Sequence, residues 1–125
     1  MSLGRVLVVD DQPQVMGILR DMLQHLQYEA STAASAEDAL AAMVDVRPHV
    51  MLLDLQLPGI SGLDALAHFR EHYPTVPVIV VSGSLEQEMA RQVRDRGAFD
   101  ILVKPFGLAA LRELLAQAMR LAPPQ

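Results

Sequence analysis

Four apolar runs in this chain each stop at a polar or charged side chain. Val6-Leu7-Val8-Val9 runs into Asp10-Asp11, Val50-Met51-Leu52-Leu53 into Asp54, Val78-Ile79-Val80-Val81 into Ser82, and Ile101-Leu102-Val103 into Lys104-Pro105. Runs of this length without polar alternation read as strands buried on both faces, the mark of a parallel sheet. In open α/β sheets, ligands bind outside the carboxyl ends of the strands, where the strand order reverses. Asp10, Asp11, Asp54, Ser82 and Lys104 should therefore share one rim.

Between these runs the apolar spacing changes to that of helices. Pro13 suits a first helical turn, and Val15, Ile18, Leu19, Met22 and Leu26 fall on one face of a first helix. Tyr28 to Thr32 is a weaker second strand. Ser35 with Asp38 three residues on resembles a capping box, and Ala36, Ala39, Leu40, Met43 and Val44 continue it as a second helix. Leu57-Pro58-Gly59-Ile60-Ser61-Gly62 is a turn-rich loop before a third helix carrying Leu63, Leu66 and Phe69, which ends before Pro74. Pro77 opens the next strand. Leu85, Met89 and Val93 mark a fourth helix, acidic early at Glu86 and Glu88 and basic late at Arg91, Arg94 and Arg96, the order that complements the helix dipole, until Gly97 stops it. Leu108, Leu111, Leu115 and Ala118 mark a fifth.

Five βα units with right-handed crossovers predict an α/β fold: a five-stranded, doubly wound parallel sheet with helices on both faces. No internal repeat interrupts it. Residues 1–122 are expected to form one domain, and 123–125, Pro-Pro-Gln, a tail or the start of a linker. A length of 125 residues with 51% hydrophobic and 20% charged side chains suits such a core. The net charge of −5 argues against direct nucleic-acid binding by this segment. The absence of cysteine excludes disulfides and thiolate metal sites. No apolar stretch approaches the roughly 20 residues needed to span a bilayer, and no signal peptide is visible, so no membrane association and a cytoplasmic location are expected.

The chemistry of the rim follows from its charges. Two carboxylates about 4 Å apart at an effective dielectric near 20 repel by about 4 kcal/mol, so Asp10, Asp11 and Asp54 together need a counter-charge. A divalent cation supplies it, and oxygen ligands without His or Cys suit a hard ion such as Mg²⁺, which keeps waters and accepts phosphate oxygens. Of the ten basic residues nine are Arg, and the single Lys is Lys104. An ammonium on a flexible stem reaches one oxygen of a small anion, where a guanidinium presents a broad fork. Carboxylate nucleophile, hard metal, ammonium and the Ser82 hydroxyl together describe phosphoryl transfer to an aspartate.

Taken in order, Asp10-Asp11, Asp54-Leu55-Gln56-Leu57-Pro58 with Gly62, Ser82-Gly83, Gly97-Ala98 and Lys104-Pro105-Phe106 resemble the receiver domain of two-component response regulators over nearly the whole chain. The resemblance implies a flavodoxin-like (βα)5 fold with strand order 2-1-3-4-5, and a regulatory domain rather than a metabolic enzyme. It implies that Asp54 is the phosphoacceptor and that Asp11, Asp54 and the Gln56 backbone carbonyl ligate Mg²⁺, with Asp10 acting mainly through a bound water. Lys104, the Ser82 hydroxyl and the Gly83 N–H would then hold phosphoryl oxygens. The implied partners are a sensor histidine kinase or histidine phosphotransfer protein as donor and an effector domain C-terminal to this segment; a homodimer through the face of helix four, strand five and helix five is also open. One position departs from the pattern. Receivers usually carry Tyr or Phe three residues before the Lys, where this chain has Ile101.

Each element also has a plainer reading. Asp10-Asp11 could cap the first helix, Asp54 could serve the turn that follows it, and Ser82-Gly83-Ser84 could be an ordinary loop. His68 and His72, spaced i, i+4, could bind a metal, but with no third ligand nearby they read as a solvated helix face. Three other functions compete with the receiver reading. An aspartyl-phosphate hydrolase would want a second Asp where Gln56 stands, a phosphorylation-independent interaction domain would be expected to have lost part of the acidic pocket, and a flavin-binding module would need a Ser/Thr-rich loop where Asp11-Gln12-Pro13 lies.

Overall fold

The computed structural model describes residues 2–57, 61–83 and 86–121. Five strands and five helices alternate: β1 (Arg5–Val9), α1 (Pro13–His25), β2 (Glu29–Ala33), α2 (Ala36–Val46), β3 (Val50–Asp54), α3 (Gly62–His72), β4 (Val78–Ser82), α4 (Gln87–Asp95), β5 (Asp100–Val103) and α5 (Leu108–Leu121). All four ladders are parallel and the order is β2-β1-β3-β4-β5, as expected. From β1 the chain first builds outward to β2 and then crosses to β3 on the other side. The order therefore reverses between β1 and β3, whose carboxyl ends carry Asp10 and Asp54.

The pleat divides the core into two layers. Leu7, Val9, Met51, Leu53, Val78 and Val80 pack with Ala39, Met43, Leu66, Phe69 and Val93 from α2, α3 and α4. Their neighbours in the same strands, Val6, Val8, Val50, Leu52, Ile79 and Val81, pack with Leu19, Leu23, Leu111, Leu115 and Ala118 from α1 and α5. Successive strand residues face opposite sides, so an unbroken apolar run serves both layers at once. Each fully buried Leu or Phe here, such as Leu53 or Phe69, stabilises the fold by about 1.5–3 kcal/mol.

Several expected details differ. The last apolar run is not buried on both faces: β5 is an edge strand, and Val103 is 41% exposed although Leu102 is buried. At the other edge β2 begins at Glu29, one residue late, because Tyr28 is drawn down beside α1 and its N–H bonds to the Leu23 carbonyl at 2.9 Å. In α1 the buried stripe runs through Leu19 and Leu23, leaving Ile18 60% exposed. Val44 of α2 is exposed as well. In α4 the inward residues are Ala90 and Val93, while Met89 turns outward. Leu85, expected at its start, lies outside the described residues, as do Pro58 to Ile60 of the turn-rich loop, Ser84, and the expected domain end at 122 with its tail.

Local chemistry fixes the helix ends that matter for the rim. Ser35 Oγ accepts the Asp38 N–H at 3.0 Å, and Ser61 Oγ accepts the Asp64 N–H at 3.1 Å, so α2 and α3 start alike. Gly62, at the first turn of α3, is required by close approach: a Cβ there would overlap the backbone of Leu55, the residue that follows Asp54. Gly97 ends α4 at φ +94°, where its N–H bonds to the Arg94 carbonyl at 2.9 Å.

Candidate functional site

Four neighbouring strands deliver their last or next residues to one rim. Asp10 and Asp11 follow β1, Asp54 ends β3, Ser82 ends β4 and Lys104 follows β5. In β1, β3 and β4 the apolar residues before these positions are buried in both layers. The polar ends are thus held by rigid, paired backbone, and Lys104 is tied in by its own N–H to the Ser82 carbonyl at 2.7 Å. The Lys104–Pro105 peptide bond is cis.

Asp10, Asp54 and Ser82 are the buried polar side chains among the described residues, at 1%, 7% and 7% exposure. Asp11 is exposed and Lys104 half-buried. Asp10, Asp11 and Asp54 each present a carboxylate oxygen within 4.8 Å of the others. Lys104 Nζ stands 3.6 Å from Asp10 Oδ2 and 3.9 Å from Asp54 Oδ2. One ammonium therefore faces a cluster of three carboxylates and leaves it with an excess of negative charge.

The two buried carboxylates use their oxygens differently. Asp10 Oδ1 accepts the Gln12 N–H at 2.9 Å and Asp54 Oδ1 accepts the Gln56 N–H at 3.0 Å. Each closes an Asx turn that carries the chain away from its strand. The plainer reading of Asp54 as turn chemistry is thus correct as far as one oxygen goes. The capping reading of Asp10-Asp11 is not, because the N-cap of α1 is Gln12, with Pro13 next. Asp10 Oδ2 is buried with no hydrogen-bond partner. A buried carboxylate oxygen that accepts no hydrogen bond and faces an ammonium only at 3.6 Å, in a cluster of oxygen ligands, is where a hard divalent cation fits.

Burial raises the Asp54 pKa above its ordinary value, opposed by the Gln56 N–H and Lys104 and reinforced by Asp10 and Asp11. Removing this carboxylate from water is thus the largest influence on it, and without a cation Lys104 compensates only in part.

Gln56 and Gly83, the remaining predicted site residues, are both exposed beside the rim. A Cβ at Gly83 would meet nothing within 4 Å, so its backbone faces open space. A cavity of about 250 Å³ adjoins the rim, lined by Leu55, Gln56, Ser82, Glu86 and Met89. Glu86 and Met89 had no place in the site inferred from sequence, because Met89 reads as part of the buried stripe of α4; its i+3 spacing from Glu86 was the available signal that both face the rim. His68 and His72 lie on α3, apart from this group. Ile101 is half-buried and packs against the layer formed by α2, α3 and α4.

Comparison with known proteins matches residues 6–116 to the response regulator receiver domain. The transcriptional regulatory protein KdpE of Mycobacterium tuberculosis is 40% identical over 115 residues, covering 92% of this chain and 50% of its own length. The nitrogen assimilation regulatory protein NtrX of Azorhizobium caulinodans is 36% identical over 121 residues, covering 93% of this chain and 27% of its own. The chain thus spans between a quarter and a half of the length of these relatives. Among solved structures, the receiver domain of NtrX from Brucella abortus superposes with a TM-score of 0.86 at 33% identity, over 92% of this chain and 98% of that one. The chemotaxis protein CheY4 of Vibrio cholerae superposes with a TM-score of 0.87 at 28% identity, over 94% and 99%. With the family model, the relatives and the strand order in agreement, this chain belongs to the response regulator receiver domains of two-component signalling.

Proposed function

We propose that this domain accepts a phosphoryl group on Asp54 from a phosphohistidine of a sensor histidine kinase or histidine phosphotransfer protein, in the cytoplasm where such donors are charged. The observation that carries the reading is the disposition of the Asp54 carboxylate. One oxygen is engaged by the Gln56 N–H, and the other stands 3.9 Å from the only Lys of the chain, at a rim with surplus negative charge. In the transfer an Asp54 oxygen bonds to phosphorus while the bond from phosphorus to the donor imidazole breaks and its electron pair returns to nitrogen. The Gln56 N–H and the rigid end of β3 orient the attacking carboxylate, and Lys104 draws one phosphoryl oxygen as its hold on Asp54 is released. The Ser82 hydroxyl and the Gly83 N–H donate to the remaining oxygens.

Mg²⁺ held by Asp10, Asp11, Asp54 and the Gln56 backbone carbonyl would supply positive charge for the phosphoryl oxygens. The donor set fits it: oxygen only, with one buried oxygen, Asp10 Oδ2, that accepts no hydrogen bond. The domain's chemistry is then confined to its own phosphorylation and dephosphorylation. Its output passes through the face of α4, β5 and α5, where Met89 and Val103 are exposed, to an effector domain or a second copy. The retained acidic cluster disfavours an interaction domain that works without phosphorylation.

Incubation with acetyl phosphate and Mg²⁺ followed by intact-mass measurement tests the reading. One acid-stable, base-labile phosphoryl adduct is expected, lost with a chelator and in Asp54→Asn. An undiminished adduct in Asp54→Asn defeats the assignment.

A further inference from the structure

The cavity of about 250 Å³ beside the rim is shared between the ends of two strands and the start of a helix. Leu55 and Gln56 follow β3, Ser82 ends β4, Glu86 stands at the N-cap of α4, and Met89 lies one helical turn further on. Among the described residues that line it, Glu86 alone carries a charge.

Helix capping does not account for that carboxylate. α2 and α3 begin with serines whose hydroxyls accept the N–H three residues on, whereas the Glu86 side chain makes no cap bond. Glu is also not among the favoured N-cap residues. The helix dipole favours an acid at this end of α4 but does not direct its carboxylate anywhere. The next acid, Glu88, is held instead by Arg91 and Gln92. Glu86 is left to border the space beside Ser82 and Gln56, two of the residues assigned to the metal and the phosphoryl group.

Such a space suits a small planar ring that carries an N–H. Leu55 and Met89 offer apolar walls, Met89 with a polarizable sulfur that packs well on aromatic rings, and Glu86 offers an acceptor. The volume is several times that of a water molecule, enough for one five-membered ring. We propose that this cavity receives the imidazole of the phosphodonor, with the Glu86 carboxylate accepting the N–H of the ring nitrogen remote from phosphorus, and that Glu86 thereby selects imidazole donors over acyl phosphates. The inference rests on Asp54 being the phosphoacceptor. As the Asp54 oxygen bonds to phosphorus, the P–N bond breaks and its electron pair stays on nitrogen. With the remote nitrogen protonated, the ring departs as neutral imidazole; without that proton it departs as an imidazolate anion, a far poorer leaving group. A carboxylate beside the remote N–H favours the protonated ring. An acyl phosphate loses a carboxylate anion instead, which the same Glu86 repels.

The test compares phosphoimidazole with acetyl phosphate as donors to the whole chain in saturating Mg²⁺, the rate constants being read by intact mass. Glu86→Gln should lower the ratio of the phosphoimidazole to the acetyl phosphate rate constant by about tenfold, the effect of one charge-assisted hydrogen bond. Glu88→Gln removes the same charge from a side chain outside the cavity and should leave the ratio unchanged. Both donors meet the same folded population, so the ratio is insensitive to any loss of stability. If both donors phosphorylate Asp54 and the ratio in Glu86→Gln equals that of wild type, or Glu88→Gln lowers it as much, the inference is overturned while the phosphoacceptor reading stands. No adduct on Asp54 from either donor overturns both.

Discussion

Replacing Asp54 by Asn should stabilise the metal-free domain, against the usual direction of a substitution at a buried residue. Asp54 faces two carboxylates within 4.8 Å and one ammonium at 3.9 Å. At an effective dielectric near 20 the two repulsions come to about 7 kcal/mol and the attraction to about 4 kcal/mol. The gross excess of about 3 kcal/mol is reduced by water, since Asp11 is exposed and the Lys104 side chain is 28% exposed, leaving a gain of about 1–2 kcal/mol for the neutral amide. Asn keeps an oxygen for the Gln56 N–H, so the turn is preserved. The corresponding rise in Tm is roughly 4–8 °C for a domain of this size. The pH dependence has a definite sign. Burial raises the folded pKa of Asp54, so wild type carries no penalty at a pH below the unfolded carboxylate value and the full penalty once pH has risen through the folded value. The advantage of Asn should therefore be complete at neutral pH and close on acidification. Mg²⁺ should reverse the order by stabilising wild type and not the variant. Thermal denaturation in a chelator and in Mg²⁺, at neutral and acid pH, measures all of this. An Asn variant less stable than wild type in the chelator at neutral pH, or equal stabilisation of both proteins by Mg²⁺, would refute the electrostatic account of the rim.

Lys104→Arg keeps the charge but should reduce both phosphorylation rate and downstream output, because a guanidinium places its donors differently in the narrow space between Asp10 and Asp54; a variant matching wild type in both assays removes the special role of the ammonium. With Ile101 in place of an aromatic, saturation of Asp54 with beryllofluoride should shift the α4, β5 and α5 face only partly toward a second state in NMR spectra, and Ile101→Tyr should sharpen the transition; complete conversion of wild type, unaltered by the substitution, counts against weak coupling. His49 Nδ1 accepts the Arg5 N–H at 3.0 Å, and burial, with the Arg5 charge, lowers its pKa. The stability this neutral ring contributes is present above the unfolded His value and lost as pH falls through the folded one, so wild type should lose stability more steeply than His49→Asn over that window, and equal slopes would contradict it.

The rim was legible because each strand that builds it is an unbroken apolar run, and such a run can end in charge only where the chain leaves the core. Asp10, Asp54, Ser82 and Lys104 could be located from that alone. Exposure at the edges was not legible: Val103 belongs to a run as apolar as its neighbours, and only its place in the strand order leaves it half-covered. Helix faces were readable to within about one residue. In α1 the pattern included Ile18 and omitted Leu23, because five apolar residues at near-helical spacing do not fix the centre of the stripe. Met89 reads as core by the same spacing, yet it lines the cavity beside Ser82. The Ser61 cap was available from sequence, since Ser61 and Asp64 repeat the spacing of Ser35 and Asp38, but the surrounding Pro-Gly and Ser-Gly pairs read first as a loop. That Asp10 Oδ2 accepts no hydrogen bond depends on side-chain placement that no spacing encodes.

The central claim is that Asp54, among three clustered carboxylates, is the one that becomes phosphorylated. Borohydride reduces an aspartyl phosphate to homoserine, which marks the residue permanently. After phosphorylation with acetyl phosphate and Mg²⁺, reduction and proteolysis, tandem mass spectrometry should find homoserine at position 54 and aspartate at positions 10 and 11. Homoserine at position 10 or 11, or unmodified aspartate at all three in protein that carries the phosphoryl mass, would contradict it.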